Sequence, residues 1–316
     1  MSTIKELRKE YAVVPDKSAR MEIAEKMFEK EQGIFEFCEF MKDNPCREIC
    51  IQENEVYATY DIQGIPIRMV LDKTDMAAVP YTILMKGFYE QSEFDMVMKL
   101  LPYLGEHFRV FDVGANLGWY GMNIKKRCPD CKVDFFEPVP NTFCRLKKNI
   151  AMNDITDCAV NNIGFIDKTE TTTFFYDTVA SGASSMTNLR ELPTTEQIDV
   201  QMKTMDEYVA ENHIERLDFI KCDVEGAEFL VYRGGENVIA KYQPIIFSEM
   251  LRKWSAKFQY HPNDIIDFLS GLGYQCYVIR EGWLKTFERV DEQTVETNYF
   301  FLHKEKHSKI VRDLCR

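Results

Sequence analysis

Apolar side chains near the start of the chain recur at the spacing of one helical face. The recurring positions are Met21, Ala24, Met27 and Phe28, followed by Ile34, Phe35, Cys38 and Met41. This period predicts helices up to about residue 50. Two short apolar runs follow, 55–61 and 65–70, joined around Gln63 and Gly64, and they predict a β-hairpin. A further helix is predicted from Ser92 to Leu104. We therefore expect an N-terminal accessory region over residues 1–80.

From Arg109 onward, strand patterns alternate with helical ones. The predicted strands cover residues 110–113, 132–136, 159–165, 171–176, 217–222, 244–248, 275–279 and 298–302. The predicted helices cover 119–127, a segment capped by Asn141, 227 to the Gly234-Gly235 pair, and 263–269. Repeated β-α units predict an α/β domain over residues 81–306, with a mostly parallel sheet covered on both faces. Residues 307–316 are expected to form a basic, solvated tail.

Composition argues against several classes of partner. The formal net charge is −12 and the isoelectric point is near 5.1, and an acidic surface repels phosphate backbones, so no nucleic acid partner is expected. No run of about 18 apolar residues is present, and the polar first residues lack a signal-peptide core. We therefore expect no membrane partner and a cytoplasmic location.

The ten cysteines do not predict a metal or disulfide framework. Cys128 and Cys131 have CxxC spacing, and Cys46 and Cys50 have CxxxC spacing, but no histidine pair with ligand spacing accompanies them. We expect free thiols. A redox pair at Cys128 and Cys131 is the alternative.

The candidate chemistry begins in a loop that follows a predicted strand. In residues 110–119 a strand ends at Asp112, and a small-residue loop containing Gly114, Asn116 and Gly118 opens a helix. Glycines let the backbone approach a ligand, and a helix N-terminus offers free N–H groups to an anion. The fingerprint of dinucleotide-binding folds is G-x-G-x-x-G, and its middle glycine is absent here. An acid with this loop favours a ligand that carries an ammonium and a carboxylate, such as S-adenosylmethionine.

Glu137 and Pro138 end the next predicted strand. An acid at this position reaches ribose hydroxyls from the carboxyl edge of a parallel sheet. The alternative for Glu137 alone is a surface acid before a proline. Its distance from the upstream loop favours cofactor binding.

Several motifs together resemble the FkbM family of methyltransferases. Residues 110–118 resemble that family's "DVGANxG" loop, and residues 218–228 resemble its "K-x-D-V-E-G-A-E" segment. Residues 87–90, which end in Glu90, resemble its "G-x-Y-E", residues 204–206 its "T-L-D", and residues 181–185 a serine-rich loop. The resemblance covers residues 87–302, and residues 1–75 match nothing in the family.

The resemblance implies a Rossmann-like class I methyltransferase fold with a seven-stranded, mostly parallel sheet. It implies S-adenosylmethionine as the cofactor and O-methylation of a hydroxyl on a saccharide or natural-product-like acceptor. The cofactor-binding residues expected from loop, strand ends and resemblance are Glu90, Asp112, Gly114, Asn116, Gly118, Trp119, Tyr120, Glu137, Pro138, Gly164, Phe165 and Asp223. Trp119, Tyr120 and Phe165 are equally compatible with core positions.

The catalytic candidates lie at the ends of two later strands. They are Asp223, Lys221, Glu225 and Glu249. Asp223 faces the ligand crevice, and Lys221 lies two residues earlier on the same strand face, where the alternative is a structural ion pair with Asp223. Glu225 and Glu228 open a helix, where favourable charge in the first turn is an equal alternative to catalysis. His261 is a further candidate base.

No metal ion is expected, although Asp223, Glu225 and Glu249 could together offer hard oxygens to a divalent cation. Two other functions stay open from the sequence: a dinucleotide-binding oxidoreductase, and a binding module that kept the fold without catalysis. The unmatched N-terminal region is a candidate homodimer interface or lid.

Overall fold

The computed structural model describes residues 2–188, 191 and 195–315. Its N-terminal segment is a hairpin of two helices. Helix α1 (Ile4–Val13) begins with a capping box between Thr3 and Glu6. Helix α2 (Lys17–Phe40) begins at Asp16, whose carboxylate accepts a hydrogen bond from the backbone N–H of Ala19. The helical prediction for this segment is confirmed up to residue 40.

A three-stranded antiparallel sheet follows the hairpin. Its strands are β1 (Cys46–Gln52), β2 (Glu55–Ile62) and β3 (Ile65–Leu71), in that order. The predicted hairpin is confirmed as β2 and β3. The expectation of helix up to residue 50 was wrong, because the segment from Cys46 pairs with β2 as strand β1.

Two helices, α3 (Val79–Lys86) and α4 (Gln91–Leu100), connect this sheet to the rest of the molecule. Buried side chains of β2 and β3, such as Tyr60 and Met69, belong to one apolar core with Phe94 of α4 and Trp119. One apolar core therefore extends across the expected boundary at residue 80, because strands β1–β3 share it with residues after 80.

The remaining elements alternate as expected of an α/β chain. The first half comprises β4 (Arg109–Val113), α5 (Trp119–Arg127), β5 (Lys132–Phe136), α6 (Pro140–Met152), β6 (Cys158–Asn161), β7 (Gly164–Phe165), β8 (Glu170–Asp177), β9 (Thr195–Lys203) and α7 (Met205–Glu211). The second half comprises β10 (Phe219–Cys222), α8 (Glu228–Arg233), α9 (Glu236–Tyr242), β11 (Ile245–Glu249), α10 (Arg252–Ser255), α11 (Pro262–Gly271), β12 (Tyr274–Arg280), β13 (Trp283–Thr286), β14 (Asn298–His303) and α12 (Ser308–Leu314).

The main sheet has the strand order β13-β12-β14-β11-β10-β4-β5-β6. Strands β6, β5, β4, β10 and β11 are parallel, and β14 lies antiparallel between β11 and β12. This arrangement confirms the Rossmann-like, mostly parallel α/β fold. The sheet has eight strands instead of seven, because β13 pairs antiparallel with β12 at the edge.

The predicted strand over 159–165 was wrong as a single element. Strand β6 belongs to the main sheet, whereas β7 joins β9 and β8 in a separate three-stranded sheet. Between them, the side-chain amide of Asn162 donates to the backbone oxygens of Glu137 and Pro138, 2.9 Å away in each case. These bonds tie the chain to the end of β5 where it leaves the main sheet.

Other differences concern element ends. Helix α6 begins at Pro140 after Val139, and Asn141 lies in its first turn, so the predicted Asn141 cap was wrong. Helix α8 ends before Gly234, and a second helix, α9, follows directly. Residues 308–314 of the expected tail form helix α12, in which Ile310 is buried, while Arg316 lies outside the described residues. Within the described part of the chain, none of the helices combines the length and the apolar composition that crossing a membrane requires.

Candidate functional site

A cavity of about 200 Å³ lies at the carboxyl ends of β4, β5, β10 and β11. In open α/β sheets this edge is where ligands bind. The expected site residues that line it are Asp112, Gly114, Asn116, Trp119, Tyr120, Glu137, Pro138, Gly164, Phe165, Lys221, Asp223, Glu225 and Glu249. The structure thus brings together side chains from four strand ends.

The loop over residues 112–118 adopts left-handed backbone conformations that explain its glycines. Gly114 has φ +69°, and a Cβ there would lie 1.8 Å from the backbone oxygen of Asp223. Any side chain at Gly114 would therefore push the ends of β4 and β10 apart. Gly118 has φ +86°, and a Cβ there would lie 2.7 Å from Leu146 Cδ1. Gly118 thus allows packing against α6 and does not line the cavity.

Glu137 holds this loop in place. Its two carboxylate oxygens accept hydrogen bonds from the backbone N–H groups of Asn116, at 3.0 Å, and Val139, at 2.9 Å. Burial raises the pKa of Glu137 to about 7, against the lowering effect of these hydrogen bonds. Each oxygen keeps a second lone pair that can accept a bond from a ligand hydroxyl.

Asp112 is buried beneath the same loop. Its Oδ2 accepts a hydrogen bond from the backbone N–H of Gly121 at 2.9 Å, and its Oδ1 has no hydrogen-bond partner. Burial raises the pKa of Asp112, against the effect of the nearby Lys221. A buried carboxylate oxygen without a donor is a suitable partner for a ligand ammonium group.

Lys221 lies between two carboxylates. Its Nζ donates to the backbone oxygen of Gly114 at 2.8 Å, and lies 3.4 Å from Asp223 Oδ2 and 3.9 Å from Asp112 Oδ1. Burial opposes its charge, but the carboxylates of Asp223, Asp112 and Glu90 raise its pKa above the ordinary value. The raised pKa favours the cationic form of Lys221, and the ion-pair alternative describes its surroundings.

Three acids meet on the far side of Lys221. Carboxylate oxygens of Asp223, Glu225 and Glu249 lie within 4.8 Å of one another. Burial, followed by the negative charges of Asp223 and Glu225, holds the pKa of Glu249 well above the usual range. Either a proton shared within the group or a divalent cation bound by its oxygens would relieve this repulsion, because hard cations prefer carboxylate ligands.

The remaining candidates are Glu228 and His261. Both side chains accept hydrogen bonds from the backbone. Glu228 is buried, and its Oε1 accepts from the backbone N–H groups of Val224 and Gly226, at 3.0 and 3.1 Å. His261 caps α11 by accepting a hydrogen bond from the backbone N–H of Asn263 at 3.2 Å. Neither side chain lines the cavity.

Glu90 does not line the cavity either, but it supports a residue that does. Its Oε2 accepts a hydrogen bond from the Tyr120 hydroxyl at 2.7 Å. Burial, followed by the charge of Asp223, raises the pKa of Glu90 to about 7. Tyr120 and Trp119 line the cavity and are also buried in the core, so both interpretations of these aromatics describe the structure.

The sequence did not indicate several residues that line the cavity. These are Ala77, Ala78, Val79, Tyr89, Ser181, Gly182, Ser184 and Met202. The serine-rich segment was noted only as part of the family resemblance. The backbone N–H of Ser181 donates to Asp75 Oδ2 at 3.3 Å, and Arg145 Nη1 lies 3.2 Å from the same oxygen. Asp75 and Ser181 are 106 residues apart, so no local pattern could have linked them.

The cysteines form no cross-link in the structure. All ten are free thiols, which confirms the expectation from their spacing. Cys131 is buried, and burial raises its pKa to about 12. A thiol held in its neutral form in this way is a poor nucleophile.

Comparison with known proteins places this site in a family. A family model described as the methyltransferase FkbM domain matches residues 112–276, just over half of the chain. Methyltransferase 1 of Beauveria bassiana (strain ARSEF 2860) is 24% identical over 157 residues, which are 44% of this chain and 63% of that protein. The 31-O-demethyl-FK506 methyltransferase FkbM of Streptomyces tacrolimicus is 28% identical over 154 residues, 40% of this chain and 59% of that protein.

These matches leave part of each relative uncovered, since the chain spans about six-tenths of the length of both. A crystal structure of the methyltransferase FkbM from Methylobacillus flagellatus KT shares 15% identity, with a TM-score of 0.40 over 61% of this chain and 43% of that one. The matched segment runs from Asp112, through Glu137 and Asp223, to strand β12, and so contains most of the cavity. The chain belongs to the FkbM methyltransferase family.

Proposed function

We propose that this protein transfers a methyl group from S-adenosylmethionine to a hydroxyl of a saccharide or natural-product-like acceptor, in the cytoplasm. The observation that carries the proposal is the 112–118 loop, which Glu137 fixes at the carboxyl edge of the sheet. The name of the Streptomyces tacrolimicus relative describes O-methylation of a natural product, which supports this class of acceptor.

The residues present fit S-adenosylmethionine. Asp112 offers a buried acceptor oxygen to the ammonium group, and Glu137 offers acceptor lone pairs to the ribose hydroxyls. Asn116 stands where a dinucleotide loop has the middle glycine that lets a pyrophosphate approach. Gly164 and Phe165 also line the cavity and would offer apolar contact to a flat adenine ring.

The acid group supplies the proton chemistry. When bound, the sulfonium provides an already activated methyl group, so the protein must mainly orient the acceptor and remove its proton. We assign that removal to the carboxylate of Asp223, because Lys221 Nζ lies 3.4 Å from Asp223 Oδ2 and the raised pKa of Glu249 favours its neutral form. The acceptor's proton would pass to Asp223 as its oxygen bonds to the methyl carbon, and the bond from that carbon to sulfur would break to leave a neutral thioether.

Calorimetric titration with S-adenosylmethionine, and with NAD as the control ligand, tests the cofactor assignment. We expect saturable binding of S-adenosylmethionine alone. Asp112→Ala and Glu137→Ala each remove a charged hydrogen-bonding group, so each is expected to weaken binding roughly 10- to 100-fold. Asp130→Ala, which removes an exposed acid, is the matched control and should bind like the unaltered protein.

Other outcomes would identify the alternatives. Binding of NAD alone would contradict the interpretation of the loop and indicate an oxidoreductase. Binding of S-adenosylmethionine without methylation of any member of a broad sugar and polyol panel would indicate a non-catalytic module. Repeating the panel with EDTA, and then with added Mg²⁺, distinguishes a proton shared by Asp223 and Glu249 from a cation bound there.

A further inference from the structure

The helical hairpin α1–α2 lies outside the apolar cores of the molecule. Within these two helices only Leu7 and Ile23 are buried, and neither belongs to the core that contains strands β1–β3 or to the two other cores. Two buried side chains are a small amount of buried apolar surface for 34 helical residues. The hairpin therefore needs a further surface to pack against.

An exposed apolar stripe runs along α2. Met21, Phe28 and Phe35 follow one another at seven-residue spacing, and they are 63%, 62% and 64% exposed. Ala24 and Cys38 join them three residues after Met21 and Phe35, whereas the third position of this kind, after Phe28, is the exposed Glu31. A seven-residue repeat of this kind is the pattern of helices that pack along one another as a coiled coil. We call these five residues the α2 seam.

Helix α1 is too short to cover the seam. It has 10 residues against the 24 of α2, so it spans about 15 Å of a helix that is about 36 Å long. The C-terminal half of α2 keeps four large apolar side chains exposed: Ile34, Phe35, Phe37 and Phe40. Of these four, Phe35 belongs to the seam, and the other three lie about 100° or more around the helix from it.

We propose that a second copy of this chain covers the α2 seam, with the two α2 helices antiparallel about a twofold axis at Phe28. This register places Phe28 against its own symmetry mate and Met21 opposite Phe35. Such an isologous contact closes on itself as a dimer.

The charges of α2 favour the antiparallel direction. The N-terminal half of the helix, residues 17–28, carries three basic residues against two glutamates, and the C-terminal half, residues 29–40, carries one lysine against four glutamates. An antiparallel pair places the basic end of each helix beside the acidic end of the other, whereas a parallel pair places like charges together. Charge complementarity therefore selects both the partner, a second copy, and its direction.

Light scattering during gel filtration of the full chain tests the dimer. We expect twice the chain mass of 37.1 kDa for the unaltered protein and a single chain mass for Phe28→Glu and Phe35→Glu. Phe40→Glu makes the same chemical change about 140° around the helix from Phe35 and should leave the dimer intact. Circular dichroism checks that all variants keep their helices, which we expect because Phe28 and Phe35 are exposed.

Disulfide trapping tests the direction. In a background with Cys38→Ser and Cys144→Ser, which removes two exposed thiols, oxidation of mixed Met21→Cys and Phe35→Cys chains should link one variant to the other. Neither variant should link to itself, as it would in a parallel dimer.

Three results would overturn the proposal. They are a monomeric unaltered chain, a dimer that survives Phe28→Glu and Phe35→Glu, and self-linked Met21→Cys chains. A monomeric chain that sediments with anionic lipid vesicles would assign the seam to a membrane surface instead.

Discussion

Glu137 and Glu249 are glutamates at the ends of two strands of one cavity, β5 and β11, which β4 and β10 separate, and their surroundings are opposite. Glu137 accepts hydrogen bonds from two backbone N–H groups. Glu249 faces the carboxylates of Asp223 and Glu225. Burial raises the pKa of both, but neighbouring negative charge raises that of Glu249 further. The carboxylate of Glu137 is thus hydrogen-bonded within the protein. The group of acids around Glu249 instead has an excess of negative charge, which a proton or a cation would balance.

One side of the cavity, at Glu137, is therefore held by backbone hydrogen bonds, and the other, at Glu249, contains the candidate catalytic acids. Lys221 connects the two sides, because it contacts the loop oxygen of Gly114 and approaches both Asp112 and Asp223. Unsatisfied charge is costly to fold, and natural proteins tolerate it mainly where function requires it. Changes at Lys221, Gly114 and Glu249 should consequently have effects of different size and sign.

Replacing Lys221 should have the largest effect. Lys221→Met leaves Asp112 and Asp223 without their cation and the Gly114 oxygen without its donor. We expect a loss of about 3–5 kcal/mol in the free energy of unfolding, as for other broken buried ion pairs. Urea unfolding measures it, with Lys132→Met at an exposed position as the control. A loss below about 1 kcal/mol would show that the two sides are independent.

Gly114→Ala should have the next largest effect, because it forces the two sides apart. A Cβ at residue 114 would lie 1.8 Å from the Asp223 oxygen, in addition to the strain of φ +69°. We expect a loss of about 2–4 kcal/mol together with weaker binding of S-adenosylmethionine. Gly105→Ala is the matched control, since Gly105 has φ +76° with nothing within 4 Å and reports the backbone strain alone. Equal losses in the two variants would mean that the contact between β4 and β10 adjusts freely.

The pH dependence of stability should show the smallest effect. An acid whose pKa is higher in the folded than in the unfolded state contributes its full stabilisation below its unfolded pKa, which is near 4.5 here. That contribution is lost as the pH rises through its pKa in the folded state. For Glu137 the loss ends near pH 7, whereas for Glu249 it continues above. Glu249→Gln should therefore remove up to about 1.4 kcal/mol per pH unit of this decline between pH 7.5 and 9.

Two other variants complete that measurement. Glu137→Gln should leave the slope above pH 7.5 unchanged, because Glu137 is already ionised there. Glu106→Gln, at an exposed position, should leave the slope unchanged at every pH. Urea unfolding at half-unit intervals gives the slopes. If Glu249→Gln has the slope of the unaltered protein, Glu249 is already ionised in the folded state below pH 7.5, which contradicts a pKa raised above that range.

The parts of the fold that the sequence predicted are those with continuous apolar runs. Strands β4 and β5 and helix α5 were predicted with nearly their observed bounds, because buried strands and amphipathic helices differ in period. Strand β9 was missed, since its outer positions Gln197, Asp199 and Gln201 are polar and exposed, and only Val200 and Met202 are buried. A half-exposed strand in a small separate sheet gives a weak pattern.

The candidate site divides in the same way. Asp112, Glu137 and Asp223 were predicted because each lies at or just after the end of a buried strand, and strand ends converge at one edge of the sheet. Their roles remain predictions, whereas their shared position is observed. The link from Asp75 to Ser181 could not be predicted, because tertiary packing alone brings residues 106 positions apart together.

The position of β14 constrains how the molecule is assembled during synthesis. Every other strand of the sheet precedes it in sequence, yet it lies between β11 and β12, and the Phe300 ring stacks on Phe247 at 4.7 Å. On the ribosome, β4, β5, β10 and β11 emerge first and can pair, while β12 has no neighbour on its inner side until β14 arrives. Because translation delivers about 5–20 residues per second, β11 keeps an open edge for seconds in each nascent chain. Chaperones that shield strand edges would meet this protein during that interval.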